Sequence, residues 1–426
     1  VYKRQHDWRD ADHEGQHNFG KDQYKPAKRA DDAEQKRSNG TNECPGHPVH
    51  IVARGIEVVP KLSDEIVEGG GKIGRPRATA AQTLAQQGLA VLLLDREGRI
   101  KPCGGAVPPQ LLREFSVPES LLEARITSAR MVAPSSTAVD MEIGGFVGMV
   151  DRGTFDPWLR TRAEQAGAHR LTGRFDSLDR DASGGLTVSF REGGRNGQRR
   201  QVRVRAVIGA DGAASRVRSQ ALGDRERMAH VFAYHEIVRS PQASTPAFDP
   251  ERCDVYYQGI VSPDFYGWVF PHGNCTSVGA GSAIKGFSLR GAVKRMRDIS
   301  GLDDNAIVRC EGAPLPLRPL KRWDNGRDVV IVGDAAGAVA PSSGEGIYYA
   351  MSSARFGAEA IATFLETGDA RALRLARKRF MKAHGRVFLI LRIMQHYWYS
   401  SDKRREKFVA ICRDPDVQRL TWEAYM

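Results

Sequence analysis

The sequence is poor in cysteine and has no pattern that would turn its cysteines into a framework. Six cysteines are scattered among 426 residues, without a CxxC pair or a regular spacing. A disulfide framework and a zinc site both need paired or closely spaced thiols, so neither is indicated and no metal is predicted. This cysteine usage is typical of a reducing, cytoplasmic compartment.

Long apolar runs are also missing. No stretch of about eighteen apolar residues occurs, which argues against a membrane-spanning helix. Roughly the first thirty residues are polar and charged, unlike a secretory signal peptide. Any membrane contact is therefore expected to be peripheral.

Positive charge is plentiful, with a formal net charge of +12. The basic residues are dispersed through helix-like stretches such as 371–382 and are not interleaved with aromatic residues. That distribution makes a nucleic-acid groove improbable. Attraction to anionic lipid or to a phosphorylated substrate stays open.

The chain changes character near residue 60. Residues 1–60 are rich in His, Asp, Lys, Gln and Asn with almost no apolar periodicity, which predicts either a disordered segment or non-native sequence. From about residue 63 the pattern is that of an α/β protein. A strand, a glycine turn, a helix and a second strand form a βαβ unit over about 63–94, and helices dominate from 343 onward.

The glycine turn is the first of three motifs. Gly69, Gly71 and Gly74 satisfy GxGxxG, which lets the backbone approach a pyrophosphate at the start of a helix. Asp95 follows at the end of the next strand, where a carboxylate would accept hydrogen bonds from ribose hydroxyls. A glycine-rich surface turn next to a helix-flanking acid is the alternative interpretation.

Two features depart from the usual form of this motif. Glu65 and Glu68 lie in a strand that is normally apolar, and Arg75 and Arg77 flank Pro76 where small residues normally begin the helix. Proline suits a first helical turn. We expect the two arginines to fit poorly between helix and sheet, so the segment indicates a small insertion or an unusually built loop.

The second and third motifs are apolar strands that each deliver an aspartate. VIGADG at 207–212 is followed by Ser215 and Arg216, and VVIVGDAA at 329–336 leads into Pro341, Gly344 and Gly346. A single carboxylate at a strand end is a common helix N-cap. Two such strands after a GxGxxG unit resemble the FAD-binding hydroxylase and reductase fold.

Two further signatures narrow the resemblance. KPCGGA at 101–106 precedes Pro108 and Pro109, and YGWVFP at 266–271 reads YxWxFP. Both are similar to the FAD-dependent geranylgeranyl reductase family, over about 63–426. The segments 125–130, 148–156 and 414–422 are most similar to the bacterial chlorophyll and bacteriochlorophyll branch.

The resemblance implies an α/β, FAD-binding Rossmann-like fold of the hydroxylase and reductase type, with an antiparallel-sheet substrate domain and C-terminal helices. The implied organisation places the first part of the FAD-binding domain at 61–225 and the second at 316–365. The substrate sheet would occupy 226–315, and a helical region would follow at 366–426.

The resemblance also implies which residues contact FAD. Asp334 would bind the ribityl chain, and the helix start at 344–347 would point its dipole at the flavin. Arg152 would meet a phosphate, although an ion pair explains this arginine as well. The predicted cofactor contacts are Gly69, Gly71, Gly74, Asp95, Arg96, Cys103, Gly104, Gly105, Ala106, Arg152, Asp211, Gly212, Gly333, Asp334, Pro341, Gly344, Gly346 and Ile347.

The predicted substrate residues are aromatic. Tyr266, Trp268 and Phe270 alternate on a strand, so their rings share one face and would line an apolar trough for a prenyl chain. A simple packed strand explains them equally well. Cys103 lies in the glycine-rich loop beside the predicted flavin, where its thiol would donate a proton or gate the loop; a small hydrophobe filling a gap is the alternative. Cys103, Tyr266 and Trp268 are the predicted catalytic residues.

The implied reaction is saturation of a geranylgeranyl group to phytyl, with NADPH reducing FAD. The substrate would be a prenylated bacteriochlorophyll or chlorophyll, or geranylgeranyl diphosphate, and no stable protein partner is evident. Reduction of another prenyl lipid, aromatic hydroxylation and flavin-free binding are the alternatives. The stretch 387–399 would rest on a membrane, wall the prenyl tunnel or, as the favoured interpretation, pack in the core.

Overall fold

The computed structural model describes residues 65–69, 75–96, 100–101, 103–193, 196–223 and 228–425. For β1 it describes the backbone and not the side chains. The segment 1–60, Gly71, Gly74 and Pro102, all used in the sequence predictions, lie outside the described residues.

Fourteen strands and nine α-helices make up the described chain. The strands are β1 Glu65–Gly69, β2 Val91–Asp95, β3 Ala106–Val107, β4 Ala124–Val132, β5 Ala138–Met149, β6 His169–Arg180, β7 Leu186–Glu192, β8 Arg199–Gly209, β9 His230–Arg239, β10 Arg252–Tyr256, β11 Gly267–His272, β12 Cys275–Ser282, β13 Ile307–Pro316 and β14 Val329–Ile331. The helices are α1 Arg75–Ala85, α2 Pro109–Glu114, α3 Arg152–Gln165, α4 Arg216–Leu222, α5 Leu289–Ile299, α6 Ile347–Thr367, α7 Leu375–Trp398, α8 Asp402–Ile411 and α9 Pro415–Tyr425.

The first sheet is built around parallel strands. β1 pairs in parallel with β2 and with β8, β8 pairs in parallel with β14, and β2 with β6. β7 joins β6 and β8 through antiparallel pairing. The apolar runs of β2 and β14 are buried along their whole length, as parallel strands covered on both faces require. We call this sheet the nucleotide sheet.

Helices cover the nucleotide sheet because their small residues allow close approach. α1 buries Ala78, Ala80, Ala81 and Leu84, and it packs against α6 and α3. The βαβ unit predicted for 63–94 is confirmed, with the helix beginning three residues earlier than the sequence suggested.

The second sheet has eight strands in the order β13-β9-β12-β11-β10-β4-β5-β3, antiparallel except for the β10–β4 pair. We call it the substrate sheet. Three of its strands come from residues 106–149, which the sequence-based division had put in the FAD-binding part at 61–225. Strand pairing is decided by contacts between distant residues, so the local pattern did not show which sheet these strands join.

One face of the substrate sheet is covered by the C-terminal region. Tyr399, Phe408, Val409, Cys412 and Trp422 pack with the aromatic residues of β11 in one apolar cluster. The predicted α/β class with an antiparallel sheet and C-terminal helices is confirmed.

The second half of α7 differs from the favoured prediction of a packed core helix. Phe388 is buried, but Leu389, Ile390, Ile393 and Tyr397 are exposed by 57%, 48%, 58% and 50%. The helix is therefore packed along one side and exposes an apolar stripe along the other. No described helix combines the length and apolarity needed to cross a bilayer.

Candidate active site

Three strand ends meet at one edge of the nucleotide sheet. Gly69 and Ile331 both pair with Gly209, and the Val332 N–H donates to the Gly209 carbonyl at 3.0 Å. An ideal Cβ on Gly333, whose φ is +59°, would lie 2.4 Å from Cγ of Pro76 at the start of α1. The first turn of α1 thus lies against the third motif, and Asp95, Asp211 and Asp334 all follow strands that end at this edge.

Asp95 is held by two arginines. Its Oδ1 accepts from Arg77 Nη1 at 3.1 Å and from the Arg96 N–H at 2.8 Å, and its Oδ2 lies 3.3 Å from Arg160 Nη1. A carboxylate has about four acceptor sites, so about one remains for a ribose hydroxyl. The bond from Arg96 to this carboxylate is made by its backbone N–H.

Arg77 is buried, contrary to the expectation that an arginine fits poorly between helix and sheet. It is 1% exposed, and besides Asp95 it donates to the carbonyls of Leu94 at 2.9 Å and Ala210 at 3.3 Å. Carbonyls at two strand ends replace the water that the guanidinium loses, which is why the charge is tolerated.

Asp334 has a partner that sequence reasoning missed. Lys101 Nζ lies 2.5 Å from Asp334 Oδ2, and the carboxylate side chain is 6% exposed. Lys101 stands at the start of the predicted KPCGGA signature, so this ion pair ties that loop to the third motif. His230 lies within electrostatic reach of Asp334; burial lowers the pKa of His230, and its buried Nε2 has no partner among the described residues.

Asp211 organises a helix start. Its Oδ2 accepts from the N–H groups of Arg216 at 2.6 Å and Val217 at 3.1 Å, and its Oδ1 accepts from the Ser215 hydroxyl. Asp211 therefore caps the start of α4, which is the alternative role considered for a carboxylate at a strand end. The neighbouring Gly212 has a φ of +86°, which the sharp exit from β8 requires.

The Cys103 loop lies against Arg152 and the substrate sheet. Cys103 Sγ accepts from the Gly105 N–H at 3.3 Å and contacts the buried Arg152 guanidinium. Burial opposes the charge of Arg152, but Asp156 and Cys103 raise its pKa above the ordinary value. Arg152 Nε donates to Asp156 Oδ1 at 2.6 Å, so the ion pair alternative is present, although it is buried rather than at the surface.

Glycine is needed in this loop. Gly105 has a φ of +77°, and an ideal Cβ there would lie 2.2 Å from Nε2 of His272 on β11. An ideal Cβ on Gly104 would lie 3.4 Å from the Phe270 ring. Ala106 begins β3 and carries the loop into the substrate sheet.

The second loop at the site lies between β14 and α6. The Gly344 N–H donates to the Ala340 carbonyl and the Ala340 N–H to the Glu345 carbonyl, both at 2.9 Å. This tight turn contains Pro341, and Gly344 in it has a φ of +67°. It ends at Gly346, which precedes Ile347, the first residue of the long buried helix α6.

The three aromatic residues of YxWxFP share one face, as predicted. Ring centroids are 5.9 Å apart for Tyr266 and Trp268 and 6.2 Å apart for Trp268 and Phe270. Tyr266 Oη donates to the Ser343 carbonyl in the second loop, and the Phe270 ring lies beside Gly104 in the first, 3.4 Å from the position that a Cβ would take. Trp268 therefore lies between the residues that touch the two loops.

A chain of hydrogen bonds that the sequence did not predict fixes the Trp268 indole. Trp268 Nε1 donates to Ser277 Oγ at 3.1 Å, Ser277 Oγ lies 2.9 Å from His235 Nδ1, and His235 Nε2 lies 3.0 Å from Glu311 Oε2. A neutral imidazole accepting at Nδ1 and donating at Nε2 gives each group its partner. Although burial raises the pKa of Glu311, the His235 hydrogen bond and the Arg309 charge bring it below its ordinary value.

The indole also needs a glycine beside it. Trp268, Gly279, His235 and Glu311 are paired in register across four strands. An ideal Cβ on Gly279 would lie 2.2 Å from the Trp268 ring and 2.6 Å from the His235 Cβ. Only the absence of a side chain at 279 lets the ring lie across β12.

A known protein is similar to this chain over most of its length. No family model matches the chain. It is 54% identical to a geranylgeranyl diphosphate reductase of Rhodobacter capsulatus, in an alignment that covers 85% of this chain and 91% of the relative. The chain belongs to the geranylgeranyl reductase family.

More distant geranylgeranyl reductases also match. The chloroplastic geranylgeranyl diphosphate reductase of rice is 36% identical, covering 88% of this chain and 85% of the relative. A digeranylgeranylglycerophospholipid reductase of Methanopyrus kandleri is 31% identical, covering 74% and 84%. The predicted family is thus confirmed, and the enzyme is an oxidoreductase that acts on a carbon–carbon double bond.

Solved structures confirm the predicted fold class. A geranylgeranyl bacteriochlorophyll reductase-like protein from Thermoplasma acidophilum superposes with a TM-score of 0.72 at 22% identity, covering 82% of this chain and 91% of that one. The flavin-dependent brominase Bmp2 gives a TM-score of 0.67 at 15% identity, with 85% and 92% covered. The reductase therefore has the fold of flavin-dependent reductases and monooxygenases.

The described residues fit an FAD molecule better at the flavin end than at the adenosine end. At the flavin end the reductase has a buried carboxylate in Asp334, an orphaned donor or acceptor in His230 and two glycine turns. At the adenosine end Asp95 keeps about one acceptor site. The cofactor contacts predicted at Gly71 and Gly74 lie outside the described residues, and the individual roles of the others stay predictions.

Proposed function

We propose that this enzyme reduces the geranylgeranyl group of a bacteriochlorophyll or chlorophyll precursor, or of geranylgeranyl diphosphate, to phytyl. The observation that carries the proposal is the position of the YxWxFP segment. Tyr266, directly before β11, donates to Ser343 in one loop of the predicted flavin site, and Phe270 on β11 lies beside Gly104 in the other. A prenyl chain on this face would lie within reach of a flavin held between the loops. NADPH is the proposed electron donor, and bound FAD would supply hydride to one alkene carbon.

The reductase's own residues would bind and orient the cofactor and the prenyl chain. Asp334 and Lys101 would hold polar groups of the cofactor, with the carboxylate accepting from ribityl hydroxyls and the partly exposed ammonium free to turn toward a phosphate. Tyr266, Trp268 and Phe270 would exclude water from the alkene. Their π faces would stabilise positive charge that develops as the alkene is protonated.

One group at the site holds its proton firmly, and a second is the proposed proton donor. Burial raises the pKa of Tyr266, so its hydroxyl stays protonated and keeps donating to Ser343. The Cys103 thiol lies between the Gly105 N–H and the Arg152 guanidinium. We propose Cys103 as the residue that delivers the second hydrogen as a proton.

We propose that the discontinuous FAD-binding part comprises the nucleotide sheet with α1, α4 and α6, and that the substrate sheet with its C-terminal cover binds the prenyl chain. The Cys103 loop connects them, since β3 continues this loop into the substrate sheet. The buried pair of Arg152 and Asp156 would support the Cys103 loop through the contact between Arg152 and Cys103.

A different prenyl lipid is the second candidate substrate. The 31% identity to an archaeal glycerophospholipid reductase favours it as the runner-up. The apolar face of β11 would accept any polyprenyl chain, so the head group decides between the two candidates.

Anaerobic spectroscopy tests the proposal. The protein is loaded with FAD, reduced with NADPH or NADH in parallel, and then given geranylgeranylated bacteriochlorophyll, geranylgeranyl diphosphate or a digeranylgeranyl glycerophospholipid. We expect NADPH to bleach the flavin, one of the first two substrates to restore its colour, and the product mass to rise by two hydrogens for each saturated bond. Flavin that is not bleached by either donor, or not reoxidised by any prenyl compound, would contradict the proposal.

A pair of cysteine variants tests the proton donor. Cys103→Ser is expected to slow recolouring by about tenfold or more while NADPH bleaching is retained. Cys310→Ser is the control, because Cys310 lies on the edge strand β13 and pairs with Glu236 rather than with a residue beside the Cys103 loop. Equal rates in the two variants would remove Cys103 from the mechanism.

We further propose that the enzyme contacts an anionic bilayer surface through α7. The support is the exposed stripe of Leu389, Ile390, Ile393 and Tyr397 together with the charge around it. Residues 370–401 contain eight Lys and Arg and no Asp or Glu. An apolar stripe bordered by cations is the arrangement that binds the interface of anionic membranes.

Vesicle sedimentation tests this contact. Ile390→Gln with Ile393→Gln is expected to reduce binding to phosphatidylcholine vesicles that contain phosphatidylglycerol. Ile284→Gln with Ile307→Gln, which changes two equally exposed isoleucines elsewhere, is expected to leave binding unchanged. Identical sedimentation of both variants would contradict a membrane-facing α7.

A further inference from the structure

A basic cleft lies beside β14, the edge strand of the nucleotide sheet, and none of its lining residues is a predicted flavin or prenyl contact. Its volume is about 580 Å³, and it lies between the segment 321–324 and the start of α7. That size is within the range of small-molecule sites. Nothing in the proposed reaction uses it.

Cations line this cleft from both sides. Lys321 and Arg322 come from the segment before β14, and Arg374, Arg377 and Lys378 come from the start of α7. Among the described residues none of Arg322, Arg374, Arg377 and Lys378 has a carboxylate within ion-pair distance. Five neighbouring cations repel one another, so their proximity favours binding of an anion.

The guanidinium groups are anchored rather than loose. Arg377 Nε donates to the Leu320 carbonyl at 2.9 Å, and Arg322 Nε donates to the Asp324 carbonyl at 2.8 Å. Each bond fixes one edge of a planar fork and leaves its other nitrogens directed elsewhere, a geometry that suits phosphate oxygens.

A buried donor gives a second and independent indication of a ligand. Trp323 lines the cleft, its side chain is fully buried, and its ring packs on Phe380 with centroids 5.0 Å apart. Its indole Nε1–H has no acceptor among the described residues. A buried N–H without an acceptor is costly, so an acceptor atom of a ligand would relieve the cost.

Two carboxylates act against anion binding here. Asp324 lines the cleft but is 7% exposed and accepts from the Gly326 N–H at 2.9 Å. Asp369 interacts electrostatically with Arg374 and is itself engaged by Arg371. The four cations Arg322, Arg374, Arg377 and Lys378 against one lining carboxylate leave a positive excess.

We propose that this cleft binds a phosphate-bearing ligand, with the cations of 321–322 and 374–378 neutralising the phosphate and the Trp323 indole donating to one of its oxygens. A free diphosphate or nucleotide phosphate and a phospholipid head group share this chemistry. The volume accommodates a diphosphate with part of the group that it carries.

Binding of inorganic pyrophosphate tests the inference. Isothermal titration is performed at constant ionic strength on the full chain after it has been loaded with FAD and unbound FAD has been removed, so that the predicted cofactor site is filled and no free diphosphate competes. We expect R374E/K378E to weaken binding by about 100-fold and Trp323→Phe, which keeps the ring and removes the donor, by about tenfold.

A charge-matched variant controls for general electrostatics. K382E/R386E reverses two exposed cations on the same helix outside the cleft and is expected to change the affinity by less than about threefold. An equal loss in both charge-reversed pairs, or no loss in R374E/K378E, would overturn the inference.

Vesicles distinguish the two sources of phosphate. The same variants are sedimented with phosphatidylcholine vesicles containing phosphatidylglycerol. Loss of pyrophosphate binding in R374E/K378E, with vesicle binding no weaker than in K382E/R386E, supports a free phosphate ligand. Vesicle binding that R374E/K378E weakens well beyond K382E/R386E, without any pyrophosphate binding, supports a lipid head group. If neither ligand depends on Arg374, Lys378 and Trp323, the cleft is not a phosphate site.

Discussion

The nucleotide sheet and the substrate sheet present their functional groups in different ways. In the nucleotide sheet the polar side chains stand at the carboxyl ends of parallel strands, where Asp95, Asp211 and Asp334 follow apolar runs. In the substrate sheet they stand on a strand face, where Trp268 is fixed by hydrogen bonds that cross the strands.

The difference has a physical cause. A strand end fixes where one residue lies, so short motifs along the chain describe it well. A strand face is shared by neighbours that are distant in sequence, so its geometry depends on pairing and register. Substitutions at strand ends should therefore act on ligand affinity, whereas substitutions on the face should act on stability as well.

The largest expected effect is at a strand end. Asp334→Ala removes the carboxylate at the flavin end and leaves Lys101 without its partner, so we expect FAD to bind about 100-fold more weakly, or ~3 kcal/mol. Flavin fluorescence titration measures this affinity. Asp264→Ala, which removes a hydrogen-bonded carboxylate from the substrate-sheet region, is the control and should leave FAD affinity within about twofold. Unchanged FAD affinity in Asp334→Ala would contradict the idea that side chains at strand ends determine ligand affinity.

The next effect is on the substrate-sheet face. Gly279→Val places atoms inside the Trp268 ring and the His235 side chain, and we expect a loss of about 2–3 kcal/mol in the free energy of unfolding. Gly144→Val is the matched control, because Gly144 is also in a strand and an ideal Cβ there meets nothing within 4 Å. Urea denaturation measures the free energy of unfolding of both variants. Equal values would show that the Trp268 indole moves easily to make room for the new side chain.

The free energy of unfolding should depend on pH through His272, which lies on β11 of the substrate sheet beside Gly105 of the Cys103 loop. Burial lowers the pKa of His272 to about 4, below the ordinary value of 6.5. Between about pH 6.5 and 4, His272 is protonated in the unfolded chain but stays neutral in the folded chain. Its contribution to stability is therefore complete above pH 6.5 and falls as the pH drops through this window. We expect His272 to account for about 2 kcal/mol of that loss, allowing for its partial exposure.

Urea denaturation at several pH values measures the His272 contribution. His272→Asn should flatten the dependence between pH 6.5 and 4, whereas substitution of the exposed His169 should not. A variant that keeps the full slope would assign the acid sensitivity to other groups.

The smallest expected effect concerns the hydrogen bonds behind Trp268. Ser277→Ala removes the shared partner of the indole and of His235, and we expect about 1–2 kcal/mol of destabilisation without loss of FAD affinity. Ser183→Ala, at an exposed turn, should stay within about 0.5 kcal/mol of the parent. Weaker FAD binding in Ser277→Ala would mean that the two sheets are coupled more tightly than their contacts indicate.

Sequence reasoning succeeded where a short pattern has one structural outcome. The β2 and β14 strands and the common face of Tyr266, Trp268 and Phe270 followed from local periodicity and motif spacing. It did less well where packing competes with propensity. The second half of α7 was expected in the core, but only one side of the helix found a partner.

The amino-acid sequence by itself determined the family, the α/β class and the strand ends at which polar residues gather, because these depend on residues that are close along the chain. Only the tertiary structure decided that Lys101 pairs with Asp334, that Arg77 and Arg160 share Asp95, and that the Trp268 indole lies over Gly279 with Ser277 as its acceptor. Each of these contacts joins residues whose proximity is created by strand pairing and helix packing, and a pattern of spacing along one chain does not encode such distances.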